Sequence, residues 1–366
     1  MLGLYDIYNG RNNSGWVLSG IGLRMGFNLG FQLNPKSWYL KEESINDLTV
    51  SIRSRIYWGC FIVDHLLGLL LGRPATLQIS DTTIQESEAT PDIDWIAEYN
   101  FPGYDKIIDI SNPLKNVVQL IVLTEDILHR VFFKKDPNLD TYNRQIIDWR
   151  EKLPDPLKWD RKTLGRRASD PTRMMLVYYY YIVQLCLNRQ FVRIPGNSSQ
   201  EICHNATEDL YIAITSFTKV HGFQKCSILI VYASIISVSV ILLGASEKAA
   251  SNDVALSLHF NPETRRNFFA FMNVLKECSN TWKLSQRSFE MICQKLKKDY
   301  RIDYEKEYER QTSEITSIGK APSYDSPGLK SQHSDIQYNS FGGPPLFVST
   351  DFDWESLFPG CKDENE

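Results

Sequence analysis

The run "SILIVYASIISVSVILLGA", Ser227–Ala245, holds no charged residue over 19 positions. A helix that is apolar all round has two homes, the middle of a large helical core or a lipid bilayer. Nineteen residues is about the minimum for a bilayer span. Ser227, Ser234, Ser237 and Ser239 dilute the run. Its flanks, Lys225 on one side and Glu247 with Lys248 on the other, give no orientation signal. The expectation is a core helix, with membrane attachment through 227–245 as the alternative. A core helix of this kind must be sheathed by amphipathic helices, and the rest of the chain supplies candidates.

Apolar residues recur at helical spacing over Trp16–Leu33, Val50–Leu71, Lys115–Phe133 and Leu139–Lys152. They do so again over 174–192, Gln200–His221, Pro262–Asn280 and Leu284–Tyr300. Strand alternation is scarce. The fold class expected is all-α, an irregular multi-helix regulatory body over 1–302. In the first helix Gly22, Gly26 and Gly30 recur every four residues and share one face. Such a face invites another helix to approach closely. Gly30 is expected to end the helix in a left-handed cap, with Phe31 folding back.

The C-terminal part differs. Residues 303–366 hold 13 acidic and 5 basic side chains, whereas the whole chain has a net charge of only −4. From Gly319 onward, 17 of 48 residues are Gly, Pro or Ser. Such a segment buries too little apolar area to offset its ordering entropy, so 303–366 is expected to be a disordered acidic tail. Near its end, "DFDWESLF", 351–358, alternates acids with Phe352, Trp354, Leu357 and Phe358. This pattern suits an activation motif that meets a transcriptional coactivator.

Catalytic signatures are scarce. No H-E-x-x-H, no G-x-S-x-G and no phosphate-cradling glycine loop is present. Cys203, His204, His221 and Cys226 are ligand types, but their spacing matches no familiar zinc site. No two of the seven cysteines are spaced Cys-x2-Cys. Asp64 lies among Ile62, Val63, Leu66 and Leu67, where a carboxylate must be paired or neutral. Arg24, Arg55 and Arg73 are its candidate partners, and the expected role is structural rather than catalytic. Arg166 and Arg167 precede Ser169 in a solvated loop, a candidate phosphorylation site for a basic-directed kinase. No catalytic or metal residue is assigned, and the chain is not expected to be an enzyme.

Four stretches carry a resemblance. They are "GWVLSGIGLRMGFNLGFQLNP" with Trp16 and Arg24, and "RSRIYWGCFIVDHLLGLLLGRPATL" with Arg53, Arg55, Trp58, Asp64, Gly72, Arg73 and Pro74. The other two are "YYYYIVQLCLNRQFV" and "CSNTWKLSQRSFEMICQKL" with Trp282. Together they resemble the fungal-specific transcription factor domain, or middle homology region, of fungal zinc binuclear cluster transcription factors, in its xylanolytic-activator-like branch. One departure is Arg189-Gln190, where the family's helix ends in Arg-Pro.

The resemblance implies the regulatory part of a nuclear activator of RNA polymerase II transcription. Zinc and DNA binding belong to the family's six-cysteine basic segment, which has no counterpart here. No cofactor is therefore expected in this chain. DNA contact is expected only through that missing segment, and the chain reads as a fragment whose early helices are truncated. A coactivator, a small-molecule effector and a homodimer are the partners implied. A helical small-molecule-binding protein or enzyme, with a pocket among the aromatic helices, is the rival reading. In the family, Gly72-Arg73-Pro74 is a joint: Gly72 ends the helix and Pro74 stops its continuation.

Overall fold

The computed structural model describes residues 2–34, 47–71, 73–84, 111–133, 138–167, 170–194, 196, 198–250, 260–300 and 302–310. Among these residues there is no strand. The helices, in chain order, are α1 (Leu2–Tyr8), α2 (Asn12–Asn28), α3 (Asp47–Leu71), α4 (Ser111–Phe133), α5 (Leu139–Glu151) and α6 (Arg161–Arg167). They continue with α7 (Pro171–Asn188), α8 (Ser199–His221), α9 (Ile228–Ala250), α10 (Pro262–Glu277), α11 (Lys283–Asp299) and α12 (304–310).

The uncharged run is the axis of the body. Along α9, every side chain from Ile228 to Leu242 is buried. It packs against α7, α8, α10 and α11. Two of its buried serines are bonded within the fold: Ser234 donates to the Ile230 carbonyl at 2.8 Å, and Ser239 accepts from the buried Arg189 side chain. The core reading of this segment holds. The described helix long and apolar enough to cross a membrane is Val50–Leu71, and 67% of its most apolar stretch is buried inside the fold.

α7 forms a second spine between α4, α8 and α9. Pro171 opens it behind Asp170, whose side chain accepts from the Thr172 and Arg173 amides at 3.0 and 3.2 Å. Proline at the first helical position lacks only an amide that would go unbonded there. All four tyrosines of "YYYY" are buried. Tyr181 donates to Asp209 at 2.7 Å and accepts from the Trp159 indole at 3.0 Å. Tyr180 accepts from Gln184 at 3.0 Å, whereas the Tyr178 hydroxyl is buried with no hydrogen bond among the described residues, so the run is aromatic packing with only part of its polar edge bonded.

The core thiols follow the same logic. Cys186 and Cys203 are buried, and burial pushes each thiol up to about 12. A thiol that stays protonated and inaccessible is inert. Maleimide labelling near neutral pH is expected to leave both unmodified until the body unfolds. Labelling of either in the native protein would show that α7 and α8 are not packed as described.

The helix starting near Trp16 begins earlier than expected, and α1 packs against it. The glycine row is not the contact. A Cβ on Gly22 would meet nothing within 4 Å, and one on Gly26 would meet the ring of Phe31. Gly30 does adopt φ +68°, and the Phe31 amide returns to the Gly26 carbonyl at 3.1 Å, as the cap expectation requires. The close approach lies instead at Gly3 and Gly15. A Cβ on Gly15 would stand 2.5 Å from the Gly3 carbonyl oxygen and 2.4 Å from Ile7 Cγ1. Gly15→Val is therefore expected to pry α1 from α2 and to cost about 2 kcal/mol. Fast amide exchange confined to α1 would report it, and unchanged protection would refute the crossing.

Two boundaries move. Of "GRRASD", 165–170, expected as a solvated loop, residues 165–167 belong instead to α6, which packs against α8. Residues 304–310 are helical rather than tail. Tyr304 is buried, Tyr308 stacks on it at 5.8 Å between centroids, and Glu307 pairs with Arg265. The body therefore continues at least to residue 310. Gly72, Ser169 and the motif 351–358 lie outside the described residues.

Candidate functional site

The most patterned stretch of the chain is the end of α3. Asp64 and Gly68 lie one turn apart on one face of that helix. After Leu71 the chain doubles back along it. The Arg73 amide donates to the Gly68 carbonyl at 2.9 Å. A Cβ on Gly68 would stand 2.7 Å from the Arg73 carbonyl oxygen, so the returning strand of chain needs glycine there. Pro74 then bars any helical continuation.

Asp64 fastens the reversal. It is 3% exposed, and its Oδ2 accepts from the Thr76 and Leu77 amides at 2.6 and 2.8 Å. The expected arginine partner is not there. Arg73 donates to Asn13 Oδ1 at 2.8 Å and lies 5.4 Å over the Trp16 ring. Neither Arg24 nor Arg55 bonds Asp64. Two orphan amides created by the turn satisfy the carboxylate more cheaply than a long side chain that must be ordered. Burial still pushes the Asp64 carboxyl above its ordinary range, with the Leu77 and Thr76 amides pulling it back.

The other motif residues divide between scaffold and surface. Trp58 is fully buried in an aromatic chain that runs from Phe27 through Phe31, Tyr57 and Phe61 to His65. Arg53 and Arg55 are half-buried on α3. Trp282 lies far from this turn in sequence and holds three pieces together. Its indole donates to the Cys226 carbonyl at 2.9 Å, its ring meets Tyr8 edge-on at 5.1 Å, and it opens α11. Nearby, Arg287 donates to the Gly10 carbonyl at 2.9 Å. These contacts seat the N-terminal helix pair on α11.

Between α2 and the reversal lies a cleft of about 310 Å³. Trp16, Val17, Ser19, Gly20 and Arg24 line it from α2, with Asp64 and Thr76 opposite. The structure thus brings together Trp16, Arg24 and Asp64, which in sequence are up to 48 residues apart. Sequence reading singled out all three but had no means of showing that they share a wall. Val17, Ser19, Gly20 and Thr76, which also line the cleft, carried no signal.

The candidate metal ligands do not gather. Cys203 is buried while His204 is exposed, and His221 packs on Phe217 at 4.5 Å. The donor atoms of His204, Glu208 and Glu263 do fall within 4.8 Å of one another. Glu208, however, is already held by Asn267 and by Arg266, the latter at 3.2 Å. Cys186, Cys203, Cys226 and Cys278 are buried at separate core positions or paired by packing, and none forms a Cys-x2-Cys unit. The described residues do not fit a binuclear zinc cluster.

Residues 1–158 match the model of the fungal specific transcription factor domain. An uncharacterised transcriptional regulatory protein of Schizosaccharomyces pombe is 33% identical over 81% of this chain and 48% of its own length. The TY1 enhancer activator of Saccharomyces cerevisiae is 34% identical over 65% of this chain and 32% of its own. The chain thus spans half or less of the length of these relatives. No solved structure matches. Residues 1–158, the part that holds the α2–α3 cleft and the Asp64 turn, are thus similar to the fungal specific transcription factor domain family.

Proposed function

We propose that this chain is the regulatory part of a fungal transcription regulator, a non-enzymatic helical body followed by an acidic segment that recruits the transcription machinery. The observation that carries the reading is its similarity to a transcriptional regulatory protein over 81% of its length. The reading includes action in the nucleus and DNA contact through a zinc-cluster segment that these residues do not contain. The body's role is to hold or release the activity of the acidic segment. In that segment Phe352, Trp354, Leu357 and Phe358 supply the contact with a coactivator groove. Asp351, Asp353 and Glu355 keep the aromatic residues solvated and speed encounter with a basic partner.

Residues 345–361 fused to an unrelated DNA-binding domain are expected to activate a reporter. Aromatic anchors carry most of the binding energy at such contacts. Trp354→Ala with Phe358→Ala should abolish most of the output, whereas Asp351→Asn with Asp353→Asn should reduce it less. An inert fusion that is expressed and nuclear would remove the activating role from the segment.

A further inference from the structure

We propose that the cleft between α2 and the Asp64 turn binds a compact zwitterion of amino-acid size, its anionic end on Arg24 and its cationic end on Asp64. Three observations carry this. First, the buried Asp64 forms no ion pair among the described residues, the neighbouring His65 being the one basic side chain whose field reaches it. The Asp64 Oδ2 takes both amides, and Oδ1 makes no hydrogen bond among the described residues. A buried carboxylate costs free energy until a positive group joins it. Second, Arg24 is exposed on the same cleft and makes no hydrogen bond or ion pair among the described residues. Third, the two line one cavity yet form no ion pair with each other, so the gap between them is the cavity itself.

This charge arrangement selects the ligand class. A simple anion drawn by Arg24 would face the Asp64 carboxylate. A simple cation drawn by Asp64 would face the Arg24 guanidinium. One molecule that carries both charges satisfies both ends. The volume, about 310 Å³, stands at the small end of the roughly 300–1,000 Å³ of ordinary ligand pockets. A free amino acid fits within that volume. Trp16 and Val17 offer an apolar wall for a short side chain. Binding rests on this geometry alone; that the ligand acts as an effector rests in addition on the proposed function.

The test uses the full chain and free amino acids as probes, from glycine and serine to leucine and glutamate, at concentrations on the order of 10 mM. At least one is expected to raise the unfolding midpoint and to give heat on titration. Its N-acetyl and carboxamide analogues, each lacking one charge, should not. Asp64 also supports the fold, so the decisive variants lie on α2. A Cβ on Gly20 would meet only Arg24 Nη1, at 3.8 Å, and Arg24 is exposed, so substitution at either leaves the packing intact. Gly20→Leu fills the cleft and Arg24→Gln removes its cation. Each should weaken binding by about tenfold or more. The proposal is overturned if no free amino acid shifts the midpoint, if the blocked analogues bind equally well, or if Gly20→Leu binds like the parent. None of these results bears on the reporter activity of 345–361, so the two readings fail separately.

Discussion

Asn188→Ala is expected to cost the body about 3–5 kcal/mol. Asn188 is fully buried at the end of α7, and every hydrogen-bonding position of its amide is filled. Its Oδ1 accepts from Asn143 at 2.7 Å and from Ser199 at 2.9 Å. Its Nδ2 donates to Asn143 Oδ1 at 2.8 Å and to the Gln184 carbonyl at 2.9 Å. Three helices, α5, α7 and α8, therefore meet on one side chain. Alanine would leave the Asn143 amide buried without either partner and open a small cavity. Asn188→Asp should do at least as much harm, because a carboxylate has no donor for Asn143 Oδ1 or Gln184 and brings a buried charge. Urea unfolding would measure both. A loss below about 1 kcal/mol for alanine would mean that water replaces the network without penalty.

Asp64→Ala removes the carboxylate and strands the Thr76 and Leu77 amides, the latter on a residue with no exposure, and the expected loss is about 2–4 kcal/mol. Asp64→Asn separates acceptor from charge. The asparagine oxygen can still take both amides. Burial raises the Asp64 carboxyl in the folded state, so the fold holds that proton more tightly than the unfolded chain does. The resulting stability is present at low pH and is lost as pH rises through the raised value. At neutral pH the charge is a burden, and Asp64→Asn should change stability by no more than about 1 kcal/mol. Faster exchange at the Leu77 amide should accompany the alanine change alone. An unchanged unfolding midpoint for Asp64→Ala would mean that the turn holds without its clamp.

The sequence revealed this fold unevenly, for physical reasons. Long helices announce themselves by period, so the expected Leu139–Lys152 and Gln200–His221 lie within a residue of α5 and α8. Short ones do not. α1 and α6 are each 7 residues, two turns, too few for a period to stand out. The burial of Asp64 was legible from its apolar neighbours, but its partner was not. Backbone amides exist at every position, and only the path of the chain after Pro74 brings two of them within reach. Arg73, the obvious partner by charge, instead meets Asn13, 60 residues away. The glycines misled for a related reason. Gly22 and Gly26 form a row, yet packing uses Gly3 and Gly15, whose pairing belongs to two helices and leaves no pattern in either.

The position of α9 has a consequence during synthesis. Its uncharged run is safe only once the sheath around it is complete, and part of that sheath, α10 and α11, is encoded after it. The ribosome finishes α9 about 50 residues before the end of α11. At roughly 5–20 residues per second, several seconds pass with one flank of the uncharged run bare. Such a segment is a natural client for chaperones on the nascent chain. A message cut short within α10 would yield a product that never leaves that state, so C-terminal truncations should be cleared from the cell far more sharply than their loss of sequence suggests.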